Sequence, residues 1–122
     1  MRSRRFEILL GPVSRSVSTY TATILPAGAE QILVYWNPTV PGTGTFGLTT
    51  YYLDELTNTW CRANGTNFAL SSANTVFILS ATTLTNATSN SMVAPIPRRL
   101  RFYVNGGDGS AWTYQLNAEF IY

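Results

Sequence analysis

Between residues 112 and 120 the chain alternates without a break: Trp112, Tyr114, Leu116, Ala118 and Phe120 in one row, Thr113, Gln115, Asn117 and Glu119 in the other. A period of two sustained over this length rules out a helix and predicts a strand with one dry and one wet face. The segment before it repeats the pattern, with Leu100, Phe102 and Val104 against Arg99, Arg101 and Tyr103. Between them lie Gly106, Gly107, Asp108, Gly109 and Ser110, where glycine supplies the positive φ that a reversal needs. Read as a terminal hairpin, the two segments must oppose residues of one face. That predicts Phe102 across from Tyr114 and Leu100 across from Leu116. A hairpin this apolar on one side needs a second layer to cover it.

The upstream chain can supply that layer. Residues 16–25 alternate Val17, Thr19, Thr21 and Thr23 against Ser18, Tyr20, Ala22 and Ile24, and stop at Pro26-Ala27-Gly28. Residues 31–37 carry Ile32, Leu33, Val34, Tyr35 and Trp36, a run that predicts a central strand. After a loop marked by Pro38, Pro41, Gly42 and Gly44, residues 46–53 set Leu48, Thr50 and Tyr52 against Thr49, Tyr51 and Leu53. Asp54 to Asn58 is a polar turn, Trp60 lies on the return, Asn64-Gly65 signals a hairpin, and Phe68 and Leu70 lead to a strand at 75–80. Residues 81–95 read as an exposed low-charge loop closing in Pro95-Ile96-Pro97. No stretch has helical periodicity with caps. The prediction is one all-β domain over residues 16–122, an antiparallel β-sandwich, jelly-roll-like, of seven or eight strands. Sheet order is not legible at this level.

Residues 1–15 stand apart as an N-terminal arm. Arg2, Arg4, Arg5 and Arg15, half of the arginines, flank Phe6-Glu7-Ile8-Leu9-Leu10 before Gly11-Pro12. The arm is either a first edge strand with solvated flanks or a segment that orders on a partner, its apolar middle docking and its arginines meeting acidic groups. On the second reading, removing residues 1–15 leaves the sandwich folded and weakens attachment.

Composition narrows function. Only 11% of residues are charged, against about 25% in an ordinary soluble domain. The 17 threonines carry much of the polarity, and a neutral polar surface favours contact with other protein because little charge must be desolvated. All cations are arginine. The net charge of +2 is too small to call for a polyanion, and Arg99, Arg101 and Tyr103 on one strand face make a small patch for phosphates; no nucleic-acid partner is expected. Cys61, the single cysteine, reads as a buried inert thiol and excludes an intrachain disulfide. The apolar stretch at Ile8-Leu9-Leu10 is too short for a signal-peptide core, and no run spans a bilayer, so the product is read as cytosolic when made, with no membrane partner. Asn64-Gly65-Thr66 and Asn86-Ala87-Thr88 match the glycosylation pattern, as a chain rich in Asn and Thr does by chance.

Without histidine the usual general base is missing and no Ser-His or Cys-His nucleophile can be assembled. Asp54 and Glu55, being adjacent, cannot act as a carboxylate pair without a special turn, and Asp108 lacks the spaced acidic companions of a calcium loop. No catalysis, metal or cofactor is expected. Of the tryptophans, Trp36 and Trp112 fall on rows that read as core. Trp60 is the one candidate platform for a sugar, which keeps a carbohydrate-binding module among the alternatives.

The order of features resembles small β-sandwich proteins of tailed bacteriophages that decorate, or cement, the major capsid protein. The residues that carry the likeness are Ile32-Leu33-Val34-Tyr35-Trp36-Asn37, the loop Val40-Pro41-Gly42-Thr43-Gly44-Thr45, then Leu48-Thr49-Thr50-Tyr51-Tyr52, and the close Arg98-Arg99-Leu100-Arg101-Phe102-Tyr103-Val104 with its glycine loop and aromatic last strand. The resemblance implies a non-enzymatic virion structural protein on the outer capsid surface, present in the host cytoplasm during assembly. It would be a homo-oligomer, dimer or trimer, bound to the major capsid protein across capsid subunits. The contact residues expected on this reading are Arg2, Arg4, Arg5, Phe6, Ile8 and Leu9 in the arm and Arg99 and Arg101 on the strand. A shell-forming coat protein and a tail or connector component share the pattern and remain alternatives.

Overall fold

The computed structural model describes residues 3–63, 68–84, 90–106 and 108–122. Alternation along the last strand becomes a wall of the core: Tyr114, Leu116 and Phe120 are fully buried, Trp112 nearly so. Ten strands are described: β1 (Arg4–Arg15), β2 (Thr19–Tyr20), β3 (Gln31–Val40), β4 (Phe46–Asp54), β5 (Thr59–Arg62), β6 (Phe68–Leu70), β7 (Thr75–Ser80), β8 (Ser91–Val93), β9 (Leu100–Asn105) and β10 (Trp112–Ile121). The count exceeds the seven or eight expected. β1 is built into a sheet, and β8 arises inside the stretch read as loop, pairing in parallel with β7 from Ile78 opposite Ser91 to Ser80 opposite Val93.

The strands form two sheets, β1-β10-β3-β7-β8 and β2-β9-β4-β5, with β6 also pairing β4. Listed position by position, the two orders match β1 with β2, β10 with β9, β3 with β4 and β7 with β5. That is the order obtained by wrapping a long hairpin into two layers, the jelly roll. Ile32, Val34 and Trp36 of the first sheet meet Leu48, Leu100 and Phe102 of the second in one buried cluster. Each such side chain is worth roughly 1.5–3 kcal/mol on burial. At one end Trp36, Phe46, Trp112 and Tyr114 pack with ring centroids 4.5–6.3 Å apart, and the Trp36 indole N–H donates to Ser71 O at 2.7 Å.

This order corrects the terminal hairpin. β10 pairs antiparallel with β1 and β3, while β9 pairs with β2 and β4, so Phe102 and Tyr114 are not cross-strand neighbours. Their apolar rows face one another from opposite layers. Alternation alone cannot separate these cases, because a strand buried on one face reads the same beside its chain neighbour or across the core from it. The glycine loop at 106–111 therefore crosses between sheets, as does the loop at 41–45 after β3. The two crossings lock side by side. Thr45 donates its backbone N–H and its hydroxyl to Asp108, both at 2.8 Å; Ser110 N donates to Thr43 Oγ1 at 2.9 Å and the Trp112 indole to Thr43 O at 3.0 Å. The fit demands Gly42, Gly44 and Gly109. Gly44 has φ +87°, and a Cβ on Gly109 would strike the Thr43 carbonyl.

The segment expected as an arm is the edge strand β1, paired with β10 from Arg4 opposite Ile121 to Arg15 opposite Trp112. Irregularities fall between Ile8 and Leu10 and between Leu10 and Val13, where Gly11-Pro12 interrupts regular pairing. Residues 16–25 are less regular than expected: only Thr19–Tyr20 forms a strand, with an isolated bridge from Ile24 to Leu100.

Candidate functional site

On the outer face of the first sheet, β1 places Arg4, Phe6 and Ile8 across from Ile121, Glu119 and Asn117. Phe6 is 71% and Ile8 65% exposed, and both border a groove with Tyr35, Asn37, Gln115 and Asn117. Beneath Phe6 lies a buried carboxylate: Glu119 accepts from Arg4 Nη1 at 2.7 Å and from the Tyr35 hydroxyl at 2.8 Å. Burial and this bond to Glu119 raise the Tyr35 pKa above the ordinary tyrosine value.

The outer face of the second sheet carries an aromatic platform. Tyr51 of β4 lies directly across from Arg101 of β9 and, on its other side, from Arg62 of β5. The Arg101 guanidinium carbon sits 3.9 Å from the Tyr20 ring centroid and 4.5 Å from that of Trp60. Tyr20 stacks on Tyr103 at 4.2 Å, and Tyr51 meets both edge-on at 5.8 and 6.2 Å. Burial and the neighbouring Tyr51 raise the Tyr20 pKa. Arg101 Nε is buried with no hydrogen-bond partner among the described residues, so the rings hold this cation by their faces.

The residues expected as contacts are thus divided. The group on β1 and the Arg99/Arg101 pair belong to different sheets. Phe6 and Ile8 are open to a partner. Leu9 packs against the core. Arg4 is engaged with Glu119, and Arg5 staples the chain internally, with Nη2 on Leu25 O at 2.7 Å, Nε on Tyr122 Oη at 3.1 Å and its guanidinium over the Phe120 ring. Arg99 forms an ion pair with Glu55 on the β4–β5 turn. Arg2, the Asn64-Gly65 turn, Gly107 and the Asn64 and Asn86 glycosylation patterns lie outside the described residues.

Sequence reasoning grouped Arg101 and Tyr103 with Arg99 on one strand face, named Trp60 alone, and missed the platform. Parity put Tyr103 on an outer row and Tyr51 in the row opposite Leu48, but assembling them with Tyr20 and Trp60 needs the order β2-β9-β4-β5. Cys61 is exposed rather than buried; it lies opposite Tyr52 on β5, an edge strand of the second sheet. Asp54 caps its turn, accepting from Leu56 N at 3.0 Å and the Thr57 hydroxyl at 2.9 Å, bonds that lower its pKa. Among the described residues, no group of three or more His, Cys, Asp and Glu could hold a metal ion, and no helix is long and apolar enough to cross a membrane.

The fold is an all-β sandwich of jelly-roll order, with exposed Phe6 and Ile8 on one outer face and the aromatic platform on the other. Comparisons with protein-family models, with curated proteins and with solved structures found no match for the chain.

Proposed function

We propose that this protein is a non-enzymatic structural component of a phage particle, a decoration or cement protein that binds the assembled shell across subunits of the major capsid protein and stabilises it. The observation that carries the reading is the platform of Tyr20, Tyr51, Tyr103 and Trp60 around Arg101. Tyr, Trp and Arg are the residues that dominate binding energy at protein interfaces. Here they stand on a sheet, so little side-chain freedom is lost on docking. The scarcity of charge on the rest of the chain keeps desolvation cheap. The jelly-roll order, which recurs among viral capsid domains, agrees with the proposal by analogy of fold only.

A carbohydrate-binding reading draws on the same rings. It is the weaker one, because the Tyr20 and Trp60 faces that would stack on a sugar are already met by the Arg101 guanidinium. The test is sedimentation of the purified protein with mature and immature phage shells. Wild-type protein should co-sediment, and Trp60→Ala and Arg101→Ala should each weaken binding more than tenfold with the fold intact by circular dichroism. No co-sedimentation, together with glycan-dependent quenching of tryptophan fluorescence that Trp60→Ala removes, would replace the proposal with the carbohydrate reading.

A further inference from the structure

We infer that two copies of this chain associate edge to edge through β1, about a two-fold axis at Phe6, to form one continuous sheet. Three observations carry it. First, β1 ends its sheet, and among the described residues no strand pairs with its outer edge. The Tyr122 N–H donates to Ser3 O at 3.0 Å, which makes that pair hydrogen-bonded. By the alternation of antiparallel ladders, Arg5 and Glu7 also turn their main-chain groups toward β10, and Arg4, Phe6 and Ile8 turn theirs outward. Second, the regular run from Arg4 to Ile8 is centred on Phe6, and beyond it the irregularity after Ile8 and the missing N–H of Pro12 spoil the edge. Third, charge selects the register. Arg5 and Glu7 are already neighbours on one face, 3.6 Å apart, each about two-fifths exposed.

With the axis at Phe6, every Arg5 opposes Glu7 of the second copy and Phe6 meets its own equivalent. The outward main-chain groups of Arg4, Phe6 and Ile8 then find hydrogen-bonded partners. Moving the axis by one residue sets Glu7 against Glu7 or Arg5 against Arg5, and like charges directly opposed are destabilising. The interface is isologous and closes at two copies. Arg4, across from Ile8 of the second copy, brings no loose charge because Glu119 holds it. This inference stands whether or not the protein sits on a capsid.

Sedimentation equilibrium of the full chain should give a dimer. Arg5→Glu and Glu7→Arg, each alone, should weaken self-association more than tenfold, and an equimolar mixture of the two should restore a one-to-one complex, since each would then oppose a complementary pair. Circular dichroism checks that both variants fold. In a Cys61→Ser background, Phe6→Cys should cross-link to a covalent dimer on oxidation, and Ile8→Cys, which faces Arg4, should not. A monomeric wild type, a ring of three or more, or variants that fail to associate when mixed would overturn the inference.

Discussion

Arg4, on the edge strand, holds Glu119 of the neighbouring strand at 2.7 Å, and the two sit in different worlds: 60% of the Arg4 side chain is in water and 4% of the Glu119 side chain is. The guanidinium can fall back on solvent if the contact is lost. The carboxylate cannot, and Tyr35 would be left as its one direct partner among the hydrogen bonds described for it.

Arg4→Ala should therefore cost about 1–2 kcal/mol, less than a fully buried pair because water can enter where the exposed guanidinium stood. Adding Glu119→Gln should recover part of the loss by replacing an unpaired buried charge with a neutral amide. Urea denaturation of the two singles and the double gives the coupling. An Arg4→Ala protein as stable as wild type would refute the account.

Tyr114 presents the opposite situation. It is fully buried, and its hydroxyl has no hydrogen-bond partner among the described residues, although the Arg15 guanidinium lies 4.9 Å from the ring centroid. Burial raises its pKa, with the Arg15 charge and then the neighbouring Thr19 and Arg15 side chains opposing the rise. Tyr114→Phe should leave stability unchanged or increase it by up to about 1 kcal/mol, since an unmet buried hydroxyl costs more than it returns. Thermal melts that place the variant well below wild type would show that the hydroxyl is satisfied.

Gly109→Ala should destabilise by about 1–3 kcal/mol, the scale of forced overpacking, because its methyl would run into the Thr43 carbonyl in rigid backbone. Gly11→Ala is the control, with open space around the added methyl. Equal melting temperatures for the two variants would argue against a tight crossing.

The pH dependence of that crossing has a definite sign. The Thr45 backbone N–H, then its hydroxyl, hold Asp108 below the ordinary carboxylate value. A folded pKa depressed in this way contributes stability that is whole above the ordinary value and is lost as pH falls through the lower folded one. In an NMR titration the Thr45 amide should shift with a midpoint below that of an unstructured aspartate, and Asp108→Asn should abolish the shift. A midpoint at or above the unstructured value would contradict the geometry.

Much of the architecture was legible in local pattern. Leu100, Phe102 and Val104, like Trp112 to Phe120, declared their faces because a strand half buried must alternate. The partnership of those strands was not, since pairing is decided by contacts far apart in sequence: Asn117 meets Ile8 on one side and Tyr35 on the other. The platform was hidden for the same reason. Nothing near Tyr20 in the chain points to Trp60; the order of four strands brings both onto Arg101. The Cys61 reading failed because it rested on the usual burial of a free thiol, whereas β5 lies at the edge of its sheet.

Apolar layers resist being pulled apart far better than they resist sliding, since oily contact carries little directional preference. The bonds from Thr43 and Thr45 to Ser110 and Asp108 supply what the core lacks, because each joined loop is anchored in both layers. A lateral force entering through Phe6 on one sheet would leave through Trp60 on the other with the layers in step. Such shear stiffness decides how much of a load applied to one outer face is delivered to the other.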